Sequence, residues 1–221
     1  MSAVATGSIG ILGGTFDPVH FGHLRLAQEV GEALGLQQVR FIPGGTPPHR
    51  ATPQISAAHR MAMVNLAIAH NALFGLDARE THRSGPSYSV DTLSEIRAEI
   101  GAQQPLVLIM GADAFLGFHQ WHRWTEIFAV AHIAVAHRPG TTLRTIGNSA
   151  LATAFAQRRV DDAQRLQHAP AGSIMEVPIT ALDISATAIR TAIHQQRSVR
   201  YLTPDAVIDY INHNYLFLKE I

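Results

Sequence analysis

Glycines, a turn and two histidines are concentrated in Gly13-Gly14-Thr15-Phe16-Asp17-Pro18-Val19-His20-Phe21-Gly22-His23, a combination suited to handling phosphate. Ser8 to Leu12 ahead of it is apolar enough for a buried strand, and Leu24 to Leu34 behind it carries a helical pattern. Strand, glycine loop and helix in that order aim backbone N–H groups and a helix N-terminus at an anion. Gly13 and Gly14 let a ligand approach the main chain, and Asp17-Pro18 marks a turn. His20 and His23 can share one helix face. The same spacing also suits a metal pair or two surface histidines. A metal site needs roughly three or four ligands. With no cysteine in the chain, the others would have to come from distant His, Asp or Glu.

Such residues work only if strand ends converge on them. Apolar runs at Ile9 to Leu12, Val39 to Ile42, Leu106 to Met110, Ile133 to Ala136 and Ile174 to Val177 predict strands. Helices are expected at His20 to Leu34, Ser56 to His70 with Ser56 as N-cap, Ser89 to Ile100, Trp121 to Ala131, Leu143 to Arg159, Ser185 to Gln195 and Pro204 to His213. Thr203-Pro204 reads as a cap followed by proline at the first helical position. The alternation predicts an α/β fold, a Rossmann-like doubly wound parallel sheet with helices on both faces. One domain, 1–221, is expected, with a small helical part at about 184–221 and an irregular, mobile stretch at Asp161 to Gly172. In such a sheet ligands lie beyond the carboxyl ends of the strands. The sequence puts glycine, proline or charge there four times: Gly13 to His23, Pro43 to Arg50, Gly111 to Asp113, and Arg138-Pro139-Gly140.

Composition narrows the partners. The 221 residues carry 17 basic and 17 acidic side chains, which gives no stripe for nucleic acid and no preference for anionic membranes. Small-molecule partners are expected, and homo-oligomerisation is left open. Absence of cysteine excludes a disulfide framework and suits a reducing, cytoplasmic setting. Met1 to Gly7 lacks the basic start and apolar core of a signal peptide. The 13 histidines are scattered, and His59, His70, His168 and His213 read as solvated or packed rather than as a metal store.

Taken together, the motifs resemble the H-x-G-H nucleotidyltransferase superfamily and, within it, the bacterial nicotinate-mononucleotide adenylyltransferases. Gly13 to Leu24 and Ile184-Ser185-Ala186-Thr187-Ala188-Ile189-Arg190 carry the superfamily likeness. Ile42-Pro43 with Pro47-Pro48-His49-Arg50, Glu80, Arg83, Ser87-Tyr88-Ser89, Asp91-Thr92-Leu93, Gly111-Ala112-Asp113, Trp121 and Arg138-Pro139-Gly140 point to the nicotinate branch. The resemblance implies transfer of the adenylyl group of ATP to nicotinate mononucleotide, giving nicotinate adenine dinucleotide and pyrophosphate, with magnesium delivered on ATP.

It also implies roles. His20, His23 and Arg190 would be catalytic, donating to phosphate oxygens, and phosphate anions would favour the protonated histidines. ATP would be held by Gly13, Gly14, Thr15, Phe16, His20, His23, Gly111, Asp113, Ser185, Thr187 and Arg190. Nicotinate mononucleotide would meet Thr15, Phe16, His49, Arg50, Tyr88, Ser89, Trp121 and Arg138, with Trp121 stacking on the ring and backbone N–H groups near Tyr88-Ser89 reading its carboxylate. Read without the family, Ser185 and Thr187 are helix caps, Asp113 caps a helix beginning at Ala114, and Trp121 and Trp124 are core or surface aromatics. Three residues depart from the pattern: Gly44-Gly45 stands where relatives often present asparagine, and Ala186 where many have serine. The competing readings are an adenylyltransferase for nicotinamide mononucleotide or phosphopantetheine, a nucleotide sensor without turnover, and a histidine metalloprotein.

Overall fold

Alternation along the strands splits the interior into two halves. The computed structural model describes residues 7–45, 53–138, 146–180 and 182–218. Strands β1 (Ile9–Gly14), β2 (Gln38–Pro43), β3 (Phe74–Leu76), β4 (Leu106–Gly111), β5 (His132–His137), β6 (Arg159–Val160) and β7 (Ile174–Pro178) form one sheet of 7 strands. Every neighbouring pair is parallel, in the order β3-β2-β1-β4-β5-β7-β6. Leu106, Leu108 and Met110 enter one core, and Val107 and Ile109 enter the other, as the two-residue period of a strand requires. Ile133 and Val135 are likewise separated from Ala134 and Ala136.

Helices cover both faces, because a parallel sheet buried on both sides leaves no strand face for water. Against Val107 and Ile109 lie α1 (Phe21–Leu34), α2 (Ala57–Ile68), Leu166 of the short α7 (Gln164–Gln167), and α9 (Asp205–His213). The opposite face takes α3 (Ser89–Ile100), α4 (Ala112–Leu116), α5 (Ile127–Val130) and α6 (Ser149–Arg158). A third, small cluster of Ile189, Ala192 and Val199 centres on α8 (Ala186–His194).

All five predicted strands and the doubly wound architecture are present. β3 and β6 escaped prediction because they are short edge pairings, 3 and 2 residues long, whose identity comes from a neighbour and not from an apolar run. Trp121 to Ala131 is a correction: a 3-10 turn at Trp124–Glu126 precedes the 4-residue α5, and Arg123 sits at φ 51°. A left-handed residue cannot continue a helix. In the predicted Leu143 to Arg159 span, α6 starts after Asn148, whose side chain accepts from Leu151 N, and residues 143–145 lie outside the described ones. Asp161 to Gly172 contains a helical turn, because Leu166 is buried and anchors it to the core. Thr203 is not a cap: Pro204 holds the N-cap position of α9, and the Thr203 hydroxyl donates instead to Val19 O at 2.8 Å.

Candidate active site

The order of strands reverses between β1 and β4, where the chain runs outward through β2 and β3 and returns to the other side. The resulting crevice receives the carboxyl ends of β1, β2, β4 and β5. From β1 the chain passes Gly13, whose missing side chain leaves open space, and Gly14, where a Cβ would lie 2.9 Å from the Phe16 ring. Phe16 adopts φ 51°, and its buried ring packs on Phe41 and under His23 at 5.0 Å. Its side chain therefore supports the histidines from below, and only its main chain is left for a ligand. The Asp17-Pro18 peptide that follows is cis.

His20 is the N-cap of α1, extended at φ −150°. Its N–H donates to His23 Nδ1 at 3.3 Å, and the rings stack with centroids 3.7 Å apart. A Cβ on Gly22 would lie 3.0 Å from the His20 ring and 3.6 Å from Ile184 O, so that glycine lets the segment ahead of α8 close on the histidines. The turn is also braced from the C-terminal side, since Phe21 N donates to Leu202 O at 3.0 Å. Burial lowers the His20 pKa from 6.5 to about 4, so without nucleotide the ring is neutral at pH 7. Protonation of His20 at pH 7 thus depends on a phosphate anion beside it.

Arg190 reaches the same turn from α8. Its Nη1 donates to Asp17 O at 2.6 Å, and Nη2 donates to Thr187 Oγ1 at 3.2 Å. Asp17 Oδ2 stands 3.9 Å from Nη1 and accepts Gln54 N at 3.0 Å. Ser185 caps α8 by accepting Ala188 N at 3.1 Å, whereas Thr187 is no cap and aims Arg190. Arg190 is oriented by protein groups, with part of its surface open.

The other predicted residues fall into two groups. Gly111 is the N-cap of α4 and a Cβ there would meet open space; Asp113 is exposed in the first turn, one residue inside a helix that starts at Ala112, not Ala114. Tyr88 is the N-cap of α3 and Ser89 its first residue, with no side-chain cap on that terminus. The Tyr88 ring lies on His122 at 4.2 Å, and Asp91 pairs with Arg123 at 3.2 Å, which brings the Trp121 segment to the start of α3. Trp121 itself is half-buried, edge-on to Phe118 at 5.4 Å. Arg138 pairs with Asp183 at 3.6 Å, joining it to the segment that leads into α8. His49 and Arg50 lie outside the described residues.

Gly44 and Gly45 differ in what they tolerate. A Cβ on Gly45 would sit 2.2 Å from Glu80 O, while one on Gly44 would find its nearest atoms at 3.7 and 3.8 Å. Glu80 is held there by Thr92, whose hydroxyl donates to Oε1 at 2.7 Å, and burial raises its pKa. Gly45→Ala is expected to lower unfolding free energy by about 1–3 kcal/mol in a urea titration, and Gly44→Ala to stay within about 0.5 kcal/mol. Sequence reasoning named Glu80 and Thr92 only as part of the family likeness, with no role in the site, and passed over His122 and Arg60 on α2. For Arg60 a signal existed: it sits on the helical face of Met63, Val64 and Ile68, the apolar one.

The turn after β1 is thus completed by residues from the C-terminal part of the chain, and the chain belongs to the cytidylyltransferase-like family, whose family model matches residues 11–192. Within it the chain falls among the nicotinate-nucleotide adenylyltransferases. A protein of Dechloromonas aromatica named probable nicotinate-nucleotide adenylyltransferase is 51% identical over 210 residues, 95% of this chain and 97% of that one. One of the same name from Pseudomonas putida (strain W619) is 47% identical over 215 residues, 97% of each. Among solved structures, the Plasmodium falciparum nicotinic acid mononucleotide adenylyltransferase complexed with NaAD superposes with a TM-score of 0.72 over 96% of this chain and 97% of that one. At 15% identity that likeness speaks for the fold.

Proposed function

We propose that this protein transfers the adenylyl group of ATP to nicotinate mononucleotide, releasing pyrophosphate and forming nicotinate adenine dinucleotide. The observation that carries the transfer chemistry is Arg190 donating to Asp17 O at 2.6 Å beside the stacked His20 and His23. The acceptor's phosphate, with a second pKa of about 6, is largely a dianion at pH 7 and needs no general base. One of its oxygens forms a bond to the α-phosphorus as the bond from that phosphorus to the bridging oxygen breaks, and the electron pair leaves with pyrophosphate. What the protein must supply is position and positive potential. The amides after β1, the start of α1, His20, His23 and Arg190 supply both, and Gly111 and Asp113 lie where the adenosine end of ATP would extend.

The choice of nicotinate rests on the relatives' names and on the uncapped α3 terminus. Ser89 at that terminus, beneath Tyr88 and His122 and next to the Trp121 segment, offers backbone N–H groups to a ring carboxylate. Arg138, His49 and Arg50 are assigned to the mononucleotide phosphate. Magnesium would arrive on the triphosphate. Magnesium bound to a triphosphate needs no all-protein cage, since phosphate oxygens and water provide most of its ligands. The chain is read as one domain, 1–221, since Thr203 and Arg190 of the C-terminal part are bonded to the turn after β1. No described helix is long and apolar enough to cross a membrane, and the absence of cysteine supports a cytoplasmic setting.

Purified protein with ATP and magnesium is expected to release pyrophosphate at least about tenfold faster with nicotinate mononucleotide than with nicotinamide mononucleotide, a difference of about 1.4 kcal/mol in transition-state stabilisation. Equal rates would defeat the assignment of the acceptor. No release with either would leave a nucleotide-binding protein without turnover.

A further inference from the structure

Arg60 is the buried cation that the transfer chemistry leaves unused. It is 1% exposed, on the core face of α2. Its Nη1 donates to Thr15 O at 2.8 Å and its Nη2 to Gly45 O at 3.4 Å, while Nε has no partner among the described residues. Burial of a guanidinium is unfavourable without a counter-charge, and Asp17 supplies one, opposing the drop in pKa that burial causes. Asp17 in turn is the group whose main-chain oxygen holds Arg190.

Those contacts lie across the boundary between two substrates. Thr15 belongs to the turn after β1, which carries the phosphate-binding amides, and Gly45 follows β2, at the start of the segment assigned to the mononucleotide. The strands themselves are paired through Gly13 and Gly14, and Gly44 N donates to Gly14 O at 2.8 Å, but that ladder ends there. Beyond it, the Arg60 fork spans the gap from one carbonyl to the other. The turn after β1 has further ties through Asp17 to Arg190 and to Gln54. Gly45 instead has Glu80 O on one side, where an added Cβ would lie 2.2 Å away, and on the other its carbonyl accepts from Arg60.

We infer that Arg60 is a positioning residue for adenylyl transfer, setting the separation of the two substrate loops and so the line along which the acceptor phosphate meets the α-phosphate. This rests on the adenylyl-transfer reading above. Without Arg60 the turn after β1 loses its bond at Thr15 O but keeps the ties of Asp17 to Arg190 and Gln54, so the loss falls mainly on the mononucleotide side. Lysine keeps the charge beside Asp17 but is a point donor without a planar fork, so it cannot hold two carbonyls in fixed relation.

The test compares the unsubstituted protein with Arg60→Lys and Arg60→Met in steady-state kinetics for both substrates, in calorimetric binding of a non-hydrolysable ATP analogue, and in thermal melting. Arg60→Lys is expected to fold and to lose about tenfold to a hundredfold in kcat/KM for the mononucleotide. Its affinity for the ATP analogue should stay within about threefold of the parent's. Arg60→Met should lose more along the same axis, and if it does not fold, Arg60→Lys decides alone. Parent-like kcat/KM in folded Arg60→Lys would overturn the inference, as would equal losses in ATP-analogue affinity and in mononucleotide kcat/KM. Failure of the underlying reading shows elsewhere, as no pyrophosphate release from the unsubstituted protein.

Discussion

Arg190→Ala is expected to lower kcat by about a thousandfold while raising the KM for ATP by less than about tenfold. The reason lies in how the guanidinium is held. Two of its nitrogens are committed to Asp17 O and Thr187 Oγ1, so its orientation is set by the protein itself and costs little to maintain when charge builds on the departing pyrophosphate. A group aimed at charge that develops only in the transition state contributes to turnover more than to ground-state binding. Arg190→Lys should recover little, because an ammonium cannot keep both anchoring bonds and also present a donor to phosphate. Steady-state kinetics over a range of ATP concentrations separates the two parameters. Near-normal kcat, or a loss carried by KM alone, would remove Arg190 from the transition state.

His20→Ala should cost about a hundredfold to a thousandfold in kcat, and its second signature is in protons. In the protein without nucleotide, burial holds the His20 pKa at about 4, against 6.5 for an exposed histidine. A folded pKa below the unfolded one means that the unfolded chain binds the proton more readily. The neutral ring's contribution to stability is therefore intact above about pH 6.5 and is lost as pH falls toward 4, up to about 3 kcal/mol at the lower end. His20→Ala should flatten the fall in unfolding free energy between those pH values. Triphosphate beside the ring favours the imidazolium, so nucleotide binding near pH 6 should draw more proton into the wild-type site than into His20→Ala, which keeps only His23. Calorimetric binding in two buffers of different ionisation enthalpy measures that uptake. Identical proton uptake by the two proteins would show that His20 does not charge on binding.

The sheet was largely legible because β1, β2, β4, β5 and β7 are buried on both faces and therefore read as continuous apolar runs. Their spacing with helices allows essentially one handedness of crossover, and so one family of folds. The motif Gly13 to His23 was legible for a similar reason: glycines, turn and N-cap act over a few neighbouring residues. β3, β6 and the start of α4 were not, since a strand of 2 or 3 residues exists only by pairing, and Gly111 rather than Asp113 took the cap.

The amino-acid sequence alone determines the α/β class and the carboxyl edge where ligands gather, because these follow from side-chain period and local turn geometry; the phosphate roles proposed for His20, His23 and Arg190 come from the family resemblance. Tertiary structure alone decides what long-range contacts create. Arg190 is oriented by a carbonyl 173 positions away in the chain. Neutrality of His20 is a property of burial, not of residue type. Gly45 is confined by Glu80, and Arg60 becomes a brace between two loops only once α2 has packed beneath both. Burial and the direction of a hydrogen bond depend on groups distant in sequence, and no local pattern encodes them.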